Sequence, residues 1–278
     1  MCILFIINSS FGVGTEFIQN WVSKNTGEDK ASEAGLGRFA LLPESEVHWT
    51  KTSKANMLQD PTTMSRLLNR FAPYWDTSRQ YNRTNGLKSK KVWVEKSPQN
   101  GVMTTFLEGL YNMPVNPDGS IDTSRNLKAS RSVTKFLFMT RDPIANVYAT
   151  DKFIRDAMGG FVEFDILMQN YIQLHEYMKM DSKMLESEFM WVRLEDFASS
   201  PEKTLTSIFS FLSLATEHDS VSIASEILDK FDKIHSDPNK KYIDQWCTEG
   251  REVHKDLLKY NSKIKSLNLG YDITTLCP

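Results

Sequence analysis

A chain of 278 residues, 40% hydrophobic and 24% charged with a net charge of −2, has ordinary globular composition and enough length for a substantial core. The slight acidic balance argues against nucleic acid as a main partner, which needs a basic face, but leaves room for a local cluster of donors around a small anion. Cys2, Cys247 and Cys277 are few, odd in number and unclustered, so they predict neither a disulfide framework nor a zinc site and favour a reducing compartment.

The apolar run 2–7 predicts a buried first strand, far short of the ~20 apolar residues that span a bilayer. No basic region or cleavage site accompanies it, so no membrane partner is expected. The chain reads as cytoplasmic, unless it is an excised fragment of a longer anchored protein. A loop of small residues, Asn8 to Thr15, leads into a helix over 16–24 whose apolar side is Phe17, Ile18, Trp21 and Val22. Strand, small-residue loop and helix together present backbone N–H groups to an anion.

Residues 57–71 and 99–111 read as helices, with a polar loop over 76–91 and a strand at Val92-Trp93-Val94 between them. Residues 112–132 form a surface excursion with a turn at Pro117-Asp118-Gly119. The apolar run Phe136 to Met139 then ends abruptly at Thr140-Arg141-Asp142-Pro143, and a helix follows. Pro143 suits a first helical turn, where its missing N–H is no loss. Arg141 thus stands where a strand gives way to a helix, the place at which α/β sheets bind ligands. A guanidinium there forks two N–H bonds onto a phosphate, which a lysine cannot match. An ion pair at a strand end is the plain alternative.

Further on, 161–185 has apolar residues at helical spacing (Phe164, Leu167, Met168, Tyr171, Leu174, Met178), read as core packing. A strand at Phe189 to Val192 leads through Arg193-Leu194-Glu195-Asp196 to an amphipathic run with Leu205, Ile208, Phe209 and Leu212 on its apolar side. Helices over 222–231 and 253–267 are expected, with a polar loop at 235–241 between them. Strands alternating with helices, without repeats or linkers, predict one α/β domain with a largely parallel sheet.

Three segments, in this order, resemble the sulfotransferase family. They are Glu95-Lys96-Ser97-Pro98, the Arg141-Asp142-Pro143 junction, and the stretch from Arg193 through Pro201-Glu202 to Leu212. The resemblance runs from about residue 3 to Leu269-Gly270-Tyr271-Asp272, nearly the whole chain. It implies a three-layer α/β sandwich with a mostly parallel central sheet, P-loop-NTPase-like in architecture, as a single domain over 1–278. It also implies sulfuryl transfer from 3′-phosphoadenosine 5′-phosphosulfate (PAPS) to a hydroxyl or amine of a small molecule or glycan.

Carried over residue by residue, the resemblance assigns the cofactor's phosphate to the loop holding Ser9, Ser10, Gly12, Gly14 and Thr15. Gly14-Thr15 match the family's Gly-Thr, but Gly12 stands where the family has a lysine or arginine. Lys96 and Lys51 are the nearest sequence candidates to supply that cation. Arg141 corresponds to the arginine on the 3′-phosphate. The serine that the family places eight residues later is Ala149 here, followed by Thr150 as a substitute. Leu194 replaces a frequent tyrosine, and Arg251 and Lys240-Lys241 fall where relatives add a basic loop.

Glu44-Ser45-Glu46-Val47-His48-Trp49 resembles the segment that supplies the base in enzymes modifying sugar hydroxyls and amines. Glu46 is the favoured base, and His48 a supporting or alternative one. Lys96 matches a lysine that reaches the sulfuryl group. The chemistry asks for in-line transfer, a base for the acceptor and donors where charge builds on the leaving oxygen. It asks for no metal. A kinase would need the lysine that this first loop lacks. A non-catalytic nucleotide- or partner-binding protein of the same fold is the alternative favoured by Gly12 and Ala149.

Overall fold

The computed structural model describes residues 2–9, 92–97, 101, 104, 105, 108, 132–212 and 237–277. The helices expected at 16–24, 57–71 and 222–231 lie outside them, as do Ser10, Gly12, Gly14, Thr15, Glu46 and His48.

The sheet is built from runs of β-branched and aromatic residues, which suit a pleated, buried surface. Strand β1 (Cys2–Ser9) pairs in parallel with β2 (Val92–Ser97). With β3 (Ser132–Thr140) and β4 (Glu188–Arg193) they form a four-stranded sheet in the order β2-β1-β3-β4. Mixed helix and strand with a parallel pair is the α/β class expected from the sequence. β1 runs further than its apolar stretch, so Asn8 and Ser9 belong to the strand and not to the loop after it.

The described residues fall into two compact units. The first holds 2–9, 92–97, 101, 104, 105, 108, 132–137 and 173–189. Here Leu174, Tyr177 and Met178 are buried, and a Cβ on Gly101 would come within 2.7 Å of Leu174 Cδ1. That contact explains a glycine at a position packed by a helix. The Glu108 carboxylate accepts the Ser187 N–H at 2.6 Å.

The second unit holds 138–172, 190–212 and 237–277. Helix α1 (Pro143–Phe153) starts as the sequence dictates, with Pro143 in its first turn and the Asp142 side chain accepting the Ala145 N–H at 2.9 Å. A π-helical turn, Ile154–Met158, closes it at Gly159, whose φ of 64° favours glycine. Helix α2 (Phe164–Ser182) buries Leu167, Met168 and Tyr171 of the predicted stripe, and Ile172 beside them. After β4 come α3 (Leu194–Ser199) and α4 (Pro201–Leu212), the latter burying Leu205, Ile208 and Leu212 as its spacing predicts.

Three expectations for the C-terminal part are corrected. The loop expected to reach residue 241 ends earlier, because helix α5 (Lys240–Gln245) begins at Lys240, its first N–H groups following the Asp237-Pro238-Asn239 turn. The single terminal helix is split into a 3-10 segment, Lys255–Tyr260, and α6 (Asn261–Ser266). Leu257 and Tyr260, three apart and both buried, suit three residues per turn. Cys247 and Cys277 form a disulfide with Cα atoms 5.5 Å apart, although 30 residues separate them in sequence. Spacing gives no sign of such a bridge, and its presence removes the cysteine argument for a reducing compartment. Among the described residues, no helix is long and apolar enough to cross a membrane.

Candidate functional site

Arg141 follows the last residue of β3 and is 4% exposed. Its Nε donates to Asn239 Oδ1 at 2.7 Å, and its Nη2 to the Pro238 carbonyl at 2.8 Å. The guanidinium also lies 5.1 Å from the centre of the Tyr242 ring, a cation–π distance. Burial lowers its pKa, and the nearby Tyr242, Glu195, Asp142 and Asp237 counter that effect. Tyr171, arriving from α2, donates its hydroxyl to the Arg141 carbonyl at 2.8 Å and fixes the backbone at the junction.

Glu195 is the hub around this arginine. Its Oε1 accepts the Asp142 N–H at 2.7 Å and the Asn239 side-chain amide at 2.5 Å. Its Oε2 accepts the Tyr271 hydroxyl at 2.8 Å, and that hydroxyl lies 3.0 Å from Thr140 Oγ1. Burial and the Glu195 charge push the Tyr271 phenol far up, so it stays a donor. The Arg193 guanidinium covers the other side of this tyrosine, 4.7 Å from the ring centre. Gly270 carries a φ of 81°, and a Cβ there would come within 3.4 Å of Arg193 Nη1.

Asp142 completes the knot. Burial, opposed in part by the Ala145 N–H, raises its pKa from 3.8 to about 6. The knot therefore holds two carboxyl groups and a buried guanidinium in fixed positions at a strand–helix junction. Such an arrangement fixes the orientation of the guanidinium, with Glu195 as a charged neighbour, beside a carboxyl whose pKa burial raises.

Of the residues singled out in the sequence, Arg141 and Thr150 lie in this unit. Thr150 is part-exposed on α1, and Ala149 beside it is 8% exposed. Arg251 and Lys240-Lys241 lie on the C-terminal elements, where Lys240 pairs with Asp244 at 2.5 Å and Lys241 sits 4.6 Å from the Tyr242 ring. Leu194 is buried in the first turn of α3. Ser9 and Lys96 belong to the first unit, where the β1/β2 register sets Lys96 opposite Ile7 and Ser97 opposite Asn8. Glu95-Lys96-Ser97 and Ile6-Ile7-Asn8 thus share one end of a parallel pair.

Sequence reading missed Asn239 as a partner of Arg141, and Glu195 and Tyr271 as partners of its neighbours Asp142 and Thr140. The signal for Asn239 was its place in Asp-Pro-Asn, a turn in which the Asp237 carboxylate takes the Asn239 N–H at 2.9 Å. Among the described residues, no group of carboxylates, histidines and cysteines converges as a metal site would.

No family model matches the chain, and no curated protein matches it. Among solved structures it is similar to the sulfotransferase domain of the Synechococcus PCC 7002 olefin synthase, at 15% identity and a TM-score of 0.44 over 77% of this chain and 73% of that one. It is similar to the sulfotransferase domain from the curacin biosynthetic pathway at 17% identity and a TM-score of 0.45, covering 88% of this chain and 96% of that one. The sulfotransferase from Alicyclobacillus acidocaldarius is similar at 14% identity and a TM-score of 0.44, with 82% and 91% covered. Likenesses of this depth leave the chemistry to be argued from the residues themselves.

Proposed function

We propose that the chain is a PAPS-dependent sulfotransferase that moves a sulfuryl group to a hydroxyl or amine of a small molecule or glycan. The observation that carries this reading is the parallel register of β1 and β2. It sets Lys96 and Ser97 beside Ile7 and Asn8, at the strand ends where α/β sheets bind ligands. The loop that leaves β1 has glycine where a cation is needed, and a lysine on the neighbouring strand end is well placed by sequence to replace it. Lys96 then stabilises charge on the leaving oxygen. Ser9, Ser10, Gly12, Gly14 and Thr15 cradle the phosphate next to it. Arg141, assisted by Thr150, anchors the 3′-phosphate. Glu46 takes the acceptor's proton, with His48 as the alternative base.

Lys96→Ala tests this. Sulfate transfer from PAPS over a panel of hydroxyl and amine acceptors should be present in the wild type. It should fall by at least ~10²-fold in the variant, the scale of losing one charge-stabilising donor. Unchanged turnover in Lys96→Ala removes the lysine from the mechanism.

A second reading, binding without turnover, is favoured by one feature of the knot. Arg141 Nε and Nη2 are engaged by Asn239 and Pro238, and a buried alanine stands at 149. Nucleotide binding without transfer to any acceptor would favour it.

A further inference from the structure

The second unit contains a cleft of about 860 Å³, within the range of small-molecule sites. α1, the segment before α2 and the C-terminal turns border it. Six carboxylates line it, those of Asp151, Asp156, Glu163, Asp165, Glu249 and Asp256. Three are already matched: Lys152 holds Asp156 at 2.5 Å, Arg155 holds Asp151 at 2.9 Å and Lys259 holds Asp165 at 2.7 Å. The side chains of Glu163, Glu249 and Asp256 have no hydrogen bond or ion pair within the described structure.

A second feature is independent of these charges. Tyr148 is 6% exposed, yet its hydroxyl has no hydrogen-bond partner among the described residues. It lies over the cleft residue Gly250, where a Cβ would be 1.9 Å from the phenol oxygen, and Asp151 and Glu249 are its charged neighbours. Its ring is buried while its hydroxyl borders the cleft, where a group from a ligand can meet it. The walls are aromatic as well. Phe164 packs edge-on to Tyr148 with centroids 4.8 Å apart, and the Arg155 guanidinium already lies 5.1 Å from the Phe161 ring centre. These surfaces favour cations and the methylene chains between them. The negative charges are spread, since no group among the described residues converges to hold a metal ion. A distributed set of carboxylates matches distributed positive charge, not a point cation.

We propose that this cleft binds a linear organic polyamine. Glu163, Glu249 and Asp256 take its ammonium groups, Phe161 and Phe164 flank its methylenes, and the Tyr148 hydroxyl accepts one ammonium N–H. This site stands apart from the nucleotide reading, and neither depends on the other.

Calorimetric titration of the full chain with spermidine tests it. Saturable one-site binding is expected. The triple variant Glu163→Gln, Glu249→Gln, Asp256→Asn should lose at least about tenfold in affinity, the scale of one or more charged hydrogen bonds. Glu202→Gln, an exposed carboxylate on α4, should bind as wild type. Tyr148→Phe, checked by near-ultraviolet circular dichroism, should weaken binding by about threefold, the scale of one modest hydrogen bond. Absence of saturable binding, a triple variant that binds like wild type, or displacement of spermidine by an equal concentration of magnesium chloride would each overturn the proposal.

Discussion

Two concentrations of charge lie within the second unit, and they are built on opposite terms. Around Arg141 each described contact closes on another: Glu195 takes donors from Asp142, Asn239 and Tyr271, and Asn239 in turn accepts from the arginine. Around the acidic cleft, Glu163, Glu249, Asp256 and the Tyr148 hydroxyl are left without partners. A satisfied buried network holds backbone segments in one arrangement, because any broken member leaves the others orphaned. Solvated carboxylates without partners hold nothing, and their energy is available to a ligand. The knot should therefore fail in stability when altered, and the cleft only in binding.

Glu195→Ala gives the largest expected effect. It orphans the Asp142 N–H and the Asn239 amide and takes one of two partners from the Tyr271 hydroxyl, and should cost about 3–5 kcal/mol by urea denaturation. A loss below ~1 kcal/mol would mean that the knot does not hold the unit together.

Asp142 offers a smaller and more diagnostic effect. Its folded-state pKa is raised from 3.8 to about 6, so the native state holds its proton more tightly than the unfolded chain. Its contribution to stability therefore falls as pH rises from about 4 to about 6, and stays lost above that range. Asp142→Asn keeps a cap for the Ala145 N–H but cannot ionise. Compared with wild type, the variant should lack this slope and gain on the order of 2 kcal/mol at pH 7 relative to pH 4. Identical pH profiles would contradict the buried, raised carboxyl. At the bottom of the scale, the triple cleft variant should change stability by less than ~0.5 kcal/mol, as exposed substitutions do, while losing spermidine.

How far the sequence revealed this follows from the range of each interaction. Local devices were legible: the strand ending at Thr140, Pro143 opening α1 and the stripe Leu205, Ile208 and Leu212 on α4 each follow from neighbouring residues. The arginine at the junction was legible as a special position, but its surroundings were not. Glu195, Asn239 and Tyr271 reach residues 140–142 from 53 or more positions away along the chain, and nothing in periodicity encodes such partners. A separation of 30 residues likewise hid the Cys247–Cys277 bridge. The helix starting at Lys240 was missed because a polar sequence masked it: α5 buries no residue and so has no apolar stripe to read. The cleft was invisible for a related reason, since no spacing along the chain joins carboxylates from such separate segments.

The central proposal is that this chain binds PAPS through a buried arginine at a strand–helix junction. Calorimetric titration of wild type and Arg141→Lys with PAPS, and with adenosine 5′-phosphosulfate, tests it most directly. The lysine keeps the charge but lacks the fork. The account predicts saturable PAPS binding by wild type. In the variant it predicts a loss of about 1.5–3 kcal/mol for PAPS and little change for the nucleotide lacking the 3′-phosphate. Equal losses for both nucleotides, or no PAPS binding by the wild type, would contradict it.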